Sequence, residues 1–238
     1  MAFLSYEKGT RRPSMKHTLF ASILIFAFTL ISISAVQIYN GSERFWVRES
    51  EEFYKLVNKL SWGIAFCYSG DSNTTCWAVT DDGWYMTAGH KVNRDFPQSQ
   101  TIYVKLDRKR DAKVFVAEKI IQPPENQDLL LFKIDYKPKY YFKNFKEPFM
   151  LEENWVFGFR GSSGKVLSSP GYVTRDVKFP SLVRTTARTA FGQSGGPVIN
   201  RKGQVLGVAI LISIDSFGDN FFIPASEVQK YIKENLKE

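Results

Sequence analysis

The chain has 238 residues, 44% of them hydrophobic and 24% charged, with a formal net charge of +8. That length holds one ordinary domain plus a targeting segment, or two small packed halves, and the composition can bury a core. A basic chain raises nucleic-acid binding, but no basic stripe or aromatic-interleaved motif accompanies the charge, which excludes a nucleic-acid partner from the reading.

Part of the positive excess lies in residues 1–17, where Lys8, Arg11, Arg12 and Lys16 face only Glu7. Thr18 to Val36 then runs without a charge, long enough as a helix to span a bilayer core. Glu43, Glu49, Glu51 and Glu52 crowd its far side. The positive-inside rule puts residues 1–17 in the cytoplasm and the rest outside, with 18–39 as a single-pass transmembrane anchor. A cleaved signal is the alternative, because Ser32, Ser34 and Ala35 form a small-residue site and Met15-Lys16-His17 a compact signal start. In that case the domain is secreted or periplasmic.

Residues 40–61 read as a connecting amphipathic helix, with Trp46, Phe53, Tyr54, Val57 and Leu60 at helical spacing. From Trp62 short apolar runs alternate with turn signals: Gly63–Tyr68, Cys76–Thr80, Trp84–Ala88, Thr101–Leu106, Lys113–Gln122 and Leu129–Ile134. After a Lys-, Tyr- and Phe-rich linker come Trp155–Phe159, Val166–Arg175, Leu182–Thr186, Pro197–Ile199, Val205–Ile214 and Phe221–Pro224. Asp81-Asp82-Gly83 marks a hairpin. The spacing predicts an all-β barrel or sandwich. A C-terminal helix with Val228, Tyr231, Ile232 and Leu236 on its apolar face ends the chain.

Cys67 and Cys76 are the only cysteines. The polar interval Tyr68–Thr75 reads as a hairpin loop, across which the pair forms a disulfide in an oxidising compartment; two free buried thiols are the other reading.

Phe191-Gly192-Gln193-Ser194-Gly195-Gly196-Pro197 offers a serine among glycines. A nucleophilic serine needs an exposed hydroxyl on a tight turn and backbone N–H groups aimed at a developing oxyanion. His90 follows a strand in Thr87-Ala88-Gly89-His90. It is the one histidine outside the N-terminal flank, and so the only candidate imidazole base. Asp128 opens the apolar run Leu129–Ile134, where a carboxylate can point inward and orient that imidazole. One histidine and no clustered ligands argue against a metal site, and no cofactor is expected.

Thr-Ala-Gly-His, Asp-Leu-Leu-Leu-Phe-Lys-Ile-Asp and Gly-Gln-Ser-Gly-Gly-Pro, in that order, resemble the chymotrypsin superfamily of trypsin-like serine proteases. Within it the chain is most similar to the HtrA/Deg-type protease domain. Val156-Phe157-Gly158-Phe159-Arg160-Gly161, Gly171-Tyr172-Val173 and Phe222-Ile223-Pro224 before a helix add to that likeness. The resemblance covers roughly residues 62–236.

It implies an all-β fold of two packed antiparallel β-barrels, 62–145 and 146–238, the second including the C-terminal helix. It implies a serine endopeptidase in which Ser194 attacks, His90 moves the proton, Asp128 holds the tautomer, and the N–H groups of Gly192 and Ser194 form the oxyanion hole. The substrate pocket is expected around Ala209, Ile210 and Leu211, whose apolar side chains favour small or medium apolar residues. Arg188 stands at the pocket floor if it points inward, and otherwise faces solvent. The partners implied are a polypeptide substrate, the membrane through the N-terminal helix, and copies of the chain if it forms a homo-oligomer. The chain ends at Glu238, so the PDZ module of HtrA proteins is expected to be absent. Two rival readings share the residues: a catalytically silent trypsin-like binding module, and an esterase using the same triad. Gln193 replaces the aspartate of zymogen-type enzymes, so no freshly cleaved N-terminus is expected to order the oxyanion loop.

Overall fold

The computed structural model describes residues 51–70, 72–90, 101–106, 112–121, 127–159, 166–174, 181–210 and 220–236. The expected basic flank, the apolar segment at 18–39 with its anchor and signal readings, and Trp46 lie outside the described residues. Among the described residues, no helix is long and apolar enough to cross a membrane.

Residues 51–61 are helical and form α1. Phe53, Leu56, Val57 and Leu60 pack on the core at i, i+3, i+4 and i+7. Tyr54, expected on that face, is 65% exposed. One residue advances the helix by about 100°, which carries Tyr54 off the stripe, and Leu56 takes its place.

The first half is a seven-stranded antiparallel sheet in the order β5-β4-β1-β2-β3-β7-β6. Its strands are β1 (Ile64–Ser69), β2 (Ser72–Ala78), β3 (Trp84–Thr87), β4 (Tyr103–Lys105), β5 (Val114–Val116), β6 (Lys119–Ile121) and β7 (Leu130–Lys133). The apolar run Lys113–Gln122, expected as one strand, is two. Ala117 N–H donates to Ile102 O while Glu118 N–H donates to Lys133 O, so the chain leaves one edge of the sheet and joins the other within two residues. Consecutive Cα atoms are about 3.8 Å apart, so the sheet must roll until its edges nearly meet. Among the described residues it is a half-barrel linked by the chain at this corner, where a barrel closed by its ladder was expected.

The second half fulfils that expectation. Here β8 (Glu153–Phe159), β9 (Val166–Thr174), β10 (Val183–Thr185), β11 (Pro197–Asn200), β12 (Val205–Ile210) and β13 (Asn220–Pro224) close in the order β10-β13-β12-β11-β8-β9. The C-terminal helix α2 (Ala225–Asn235) follows, with Glu227 in its first turn and Lys233 in its last, the signs the helix dipole favours. It buries Ala225, Val228 and Tyr231.

Strand alternation explains how the halves join. On β8, Trp155, Phe157 and Phe159 face a core shared with Ile64, Phe66 and Trp77 of the first half, while Val156 faces the barrel interior with Leu206 and Phe222. Similarly, Ala65 and Cys67 of β1 turn into the first half's own core. Strands buried on both faces read as near-continuous apolar runs, which is how they appear in the sequence. From Phe53 onward the chain is one unit.

Cys67 and Cys76 are joined in a disulfide with Cα atoms 6.0 Å apart. They sit diagonally across β1 and β2, since Cys67 pairs with Thr74 and Ala65 with Cys76. The interval between them is mostly strand, however, because the ladder runs to Ser69↔Ser72 at the tip. Two polar residues of this interval, Thr74 and Thr75, have partners elsewhere in the molecule, and these partners belong to the candidate site.

Candidate active site

Adjacent strand ends bring His90 and Asp128 together. Thr87 of β3 pairs with Leu130 of β7. His90 lies three residues beyond the first and Asp128 two before the second, at the same end of the sheet. Asp128 Oδ1 accepts the His90 backbone N–H at 2.5 Å, and Oδ2 lies 2.6 Å from His90 Nδ1. A carboxylate only accepts, so Nδ1 carries the proton and Nε2 is left as an acceptor. Ser194 Oγ lies 3.1 Å from that Nε2, and its hydroxyl donates to it. The structure thus brings Asp128, His90 and Ser194 into one hydrogen-bonded line. Asp128 is more open than expected for an inward carboxylate, its side chain being 31% exposed. Ser194 is 3% exposed where an open hydroxyl was expected, because it sits in the seam between the halves.

The loop before Ser194 makes a defined turn. Gln193 N–H donates to Ala190 O at 3.0 Å, and Gly192 has φ 97°. An i→i+3 bond with a positive φ at the third residue is a type II turn, and that position calls for glycine. The Gln193 side chain, 1% exposed, folds back so that Oε1 accepts Ala190 N–H at 2.9 Å. The turn is closed from both sides by one residue, with no charge involved. Among the described residues the N–H groups of Gly192 and Ser194 have no acceptor, and these are the two expected to meet an oxyanion.

Sequence reasoning missed the groups that hold this loop from the other half. Thr75 N–H and Thr74 Oγ1 both donate to Ser194 O, at 3.0 and 2.6 Å. Thr75 Oγ1 donates to Gly192 O at 2.6 Å, and Trp77 Nε1 to Gly195 O at 3.1 Å. Thr87 Oγ1 donates to Thr75 O at 2.8 Å and steadies the strand. From the barrel side, Gly195 N–H donates to Ala209 O and Ala209 N–H to Gly196 O. Polar residues in a β-prone stretch between two cysteines were the available signal.

Of the expected pocket residues, Arg188 is exposed. Ala209 packs into the barrel interior and Ile210 into the core shared by the halves. Leu211 lies outside the described residues. A polar pair stands beside them: the Thr189 hydroxyl is hydrogen-bonded to Asn220 Oδ1, and Asn220 Nδ2 donates to Ala187 O at 2.7 Å. Among the described residues, no group of three or more His, Cys, Asp or Glu is placed to hold a metal ion.

A half-barrel and a closed barrel with serine, histidine and aspartate in line across their seam define the class of trypsin-like peptidases. The chain belongs to that family: the trypsin-like peptidase domain matches residues 74–208. It is 25% identical over 171 residues to a probable periplasmic serine endoprotease, DegP-like, of Rhizobium meliloti, covering 67% of this chain and 32% of that protein. Over 172 residues it is 25% identical to the serine protease HTRA1 of Xenopus tropicalis, covering 66% of this chain and 35% of the other. The chain therefore spans about a third of the length of these curated relatives. The crystal structure of the serine endoprotease from Yersinia pestis shares the fold, with a TM-score of 0.65 at 18% identity, covering 76% of this chain and 65% of that one.

Proposed function

We propose that this protein is a serine endopeptidase that hydrolyses peptide bonds of extracytoplasmic polypeptides with His90, Asp128 and Ser194. The observation that carries the reading is the line from Asp128 Oδ2 through His90 to Ser194 Oγ, at 2.6 and 3.1 Å, beside two loop N–H groups that have no acceptor among the described residues. Ser194 Oγ attacks the substrate carbonyl as its proton passes to His90 Nε2. The Nδ1–H bond to Asp128 stabilises the imidazolium that results. The N–H groups of Gly192 and Ser194 receive the oxyanion, and the imidazolium then protonates the leaving amine. No step requires a cofactor.

A location outside the cytoplasm is supported by the Cys67–Cys76 disulfide, which persists in oxidising compartments, and by the periplasmic description of the DegP-like relative. The apolar segment at 18–39 is proposed as the membrane anchor or export signal, and 62–145 and 146–238 as the two halves of the protease domain.

The test is hydrolysis of unfolded casein together with fluorophosphonate labelling. The wild type is expected to cleave and to label at Ser194, and Ser194→Ala to do neither. Labelling undiminished in His90→Ala refutes the triad.

A further inference from the structure

We infer that Thr75 is a positioning residue of the oxyanion hole, supplied by the half of the molecule that does not carry the nucleophile. The inference rests on the reading of Ser194 as nucleophile and extends it to a residue that touches no reacting atom.

Thr75 meets the nucleophile loop through both its backbone and its side chain. The backbone N–H donates to Ser194 O at 3.0 Å, and the hydroxyl donates to Gly192 O at 2.6 Å. The same hydroxyl accepts the Phe159 N–H at 2.9 Å. A threonine hydroxyl has one proton, so its direction is settled: it takes from β8 and gives to the loop. Thr75 is 0% exposed, and no water competes for these bonds at its surface.

The anchored carbonyls belong to Gly192 and Ser194, the two residues whose N–H groups have no acceptor among the described residues. Holding Gly192 O fixes the peptide plane that follows Gly192, and holding Ser194 O fixes the plane that follows Ser194. Between them, Gln193 ties the turn to Ala190 on both its faces. An oxyanion site works because its donors are already in place, so displacement of their supports is felt in the transition state more than in substrate binding. A hydroxyl on β2 therefore makes the catalytic loop of the barrel depend on correct docking of the first half.

The experiment compares the full chain with Thr75→Val and Thr75→Ser, using a chromogenic peptide ester or amide that the wild type cleaves. Valine keeps the shape and the backbone N–H but removes the hydroxyl; serine restores the hydroxyl. Thr75→Val is expected to lose about tenfold or more in kcat with KM within about twofold, since a lost oxyanion donor itself costs ~10²–10³. Thr75→Ser is expected to recover most of that loss. The downfield proton resonance of His90 Nδ1 should persist in both, showing that the His90–Asp128 bond is intact. Should valine prevent folding, Thr75→Ala, which leaves room for a water at the vacated hydroxyl, takes its place with the same expectation. A Thr75→Val or Thr75→Ala protein with wild-type kcat overturns the inference. So does a loss shared equally by kcat and KM together with disappearance of the His90 resonance, which marks a general structural role. A folded wild type that neither cleaves nor labels at Ser194 refutes the nucleophile reading, and the inference with it.

Discussion

Gly195→Ala is expected to act as a wedge between the two halves at the reacting serine. Gly195 has φ 81°, where an alanine costs about 1–2 kcal/mol from backbone sterics alone. The added Cβ would stand 2.3 Å from Thr87 Oγ1, 2.5 Å from Thr75 O and 2.7 Å from Ala88 N. Two of these atoms are backbone, and the third belongs to a hydroxyl already committed to Thr75 O. Ordinary contact needs about 3.5 Å, so the loop must retreat from β2 and β3 by roughly 1 Å. Ser194 immediately precedes the wedge and His90 lies two residues beyond Ala88, so the retreat opens the Ser194–His90 bond directly. A misplacement of about 1 Å at the chemistry costs on the order of 10²-fold. The expected result is a fall in kcat/KM of about 10²-fold or more on a peptide ester, with a lower melting temperature. Gly195→Ala activity within about fivefold of wild type would refute the claim that this close approach sets the alignment, because a displacement of that size is expected to cost on the order of 10²-fold.

Asp128→Asn should leave the fold intact while removing the acceptor that fixes the His90 tautomer, with kcat falling by about 10⁴-fold; a fall below tenfold would show that Asp128 does not orient the imidazole. Reduction of the disulfide, or the Cys67→Ala/Cys76→Ala pair, releases a link between residues 9 apart. The chain-entropy relation gives about 2.5 kcal/mol for that loop, or ~5–10 °C in melting temperature for a domain of this size, and an unchanged calorimetric melt would exclude it. Burial raises the Tyr231 phenol to about 12. The neutral phenol is then favoured in the folded state, so its contribution is complete below the unfolded value of about 10 and is lost as pH rises through 12. Melting temperature should fall across that window, and Tyr231→Phe should shrink the fall; an identical alkaline profile would rule Tyr231 out. Gln193 completes the turn without a charge, so protein with an uncleaved N-terminal tag should match tag-free protein in kcat/KM. Gln193→Leu should weaken both stability and activity by stranding Ala190 N–H, a cost of about 1–3 kcal/mol, read from the melt and from kcat.

Much of this architecture is legible in the sequence because its strands are short and cut by turns, and several are buried on both faces. The runs at Trp155–Phe159 and Val205–Ile214 fall on β8 and β12, each apolar almost throughout, and Val166–Arg175 falls on β9, where Ser168, Ser169 and Thr174 interrupt the apolar residues. His90, Asp128 and Ser194 were accessible for a different reason. With one candidate histidine there is no choice of base, and an aspartate before an apolar run stands out. The corner at Ala117-Glu118 was not legible, because a continuous apolar run carries no mark of where the chain changes neighbours. Tyr54 fits helical spacing with Val57, three residues on, but the stripe that is buried is centred on Phe53, Leu56, Val57 and Leu60, and at about 100° per residue Tyr54 falls outside it.

The polar stretch before Cys76 shows the deeper limit. Ser72, Asn73, Thr74 and Thr75 read as a loop because polar residues in sequence usually face water. Here β2 lies in the seam, with Thr74 and Thr75 at 3% and 0% exposure. A buried hydroxyl is tolerated only where it finds partners, and both find them on the loop some 120 positions later in the chain. No local pattern encodes a partner at that distance. The threonine is nevertheless well suited to the task. Its branched Cβ fits a strand, its N–H meets Ser194 O, and its single hydroxyl proton reaches Gly192 O. A larger polar residue would not fit against Gly158, where a Cβ would already come within 2.6 Å of the Thr75 hydroxyl. An apolar one would leave Gly192 O and Phe159 N–H without partners. The seam therefore restricts position 75 on two counts at once, size and hydrogen bonding, and a serine is the one substitution that satisfies both.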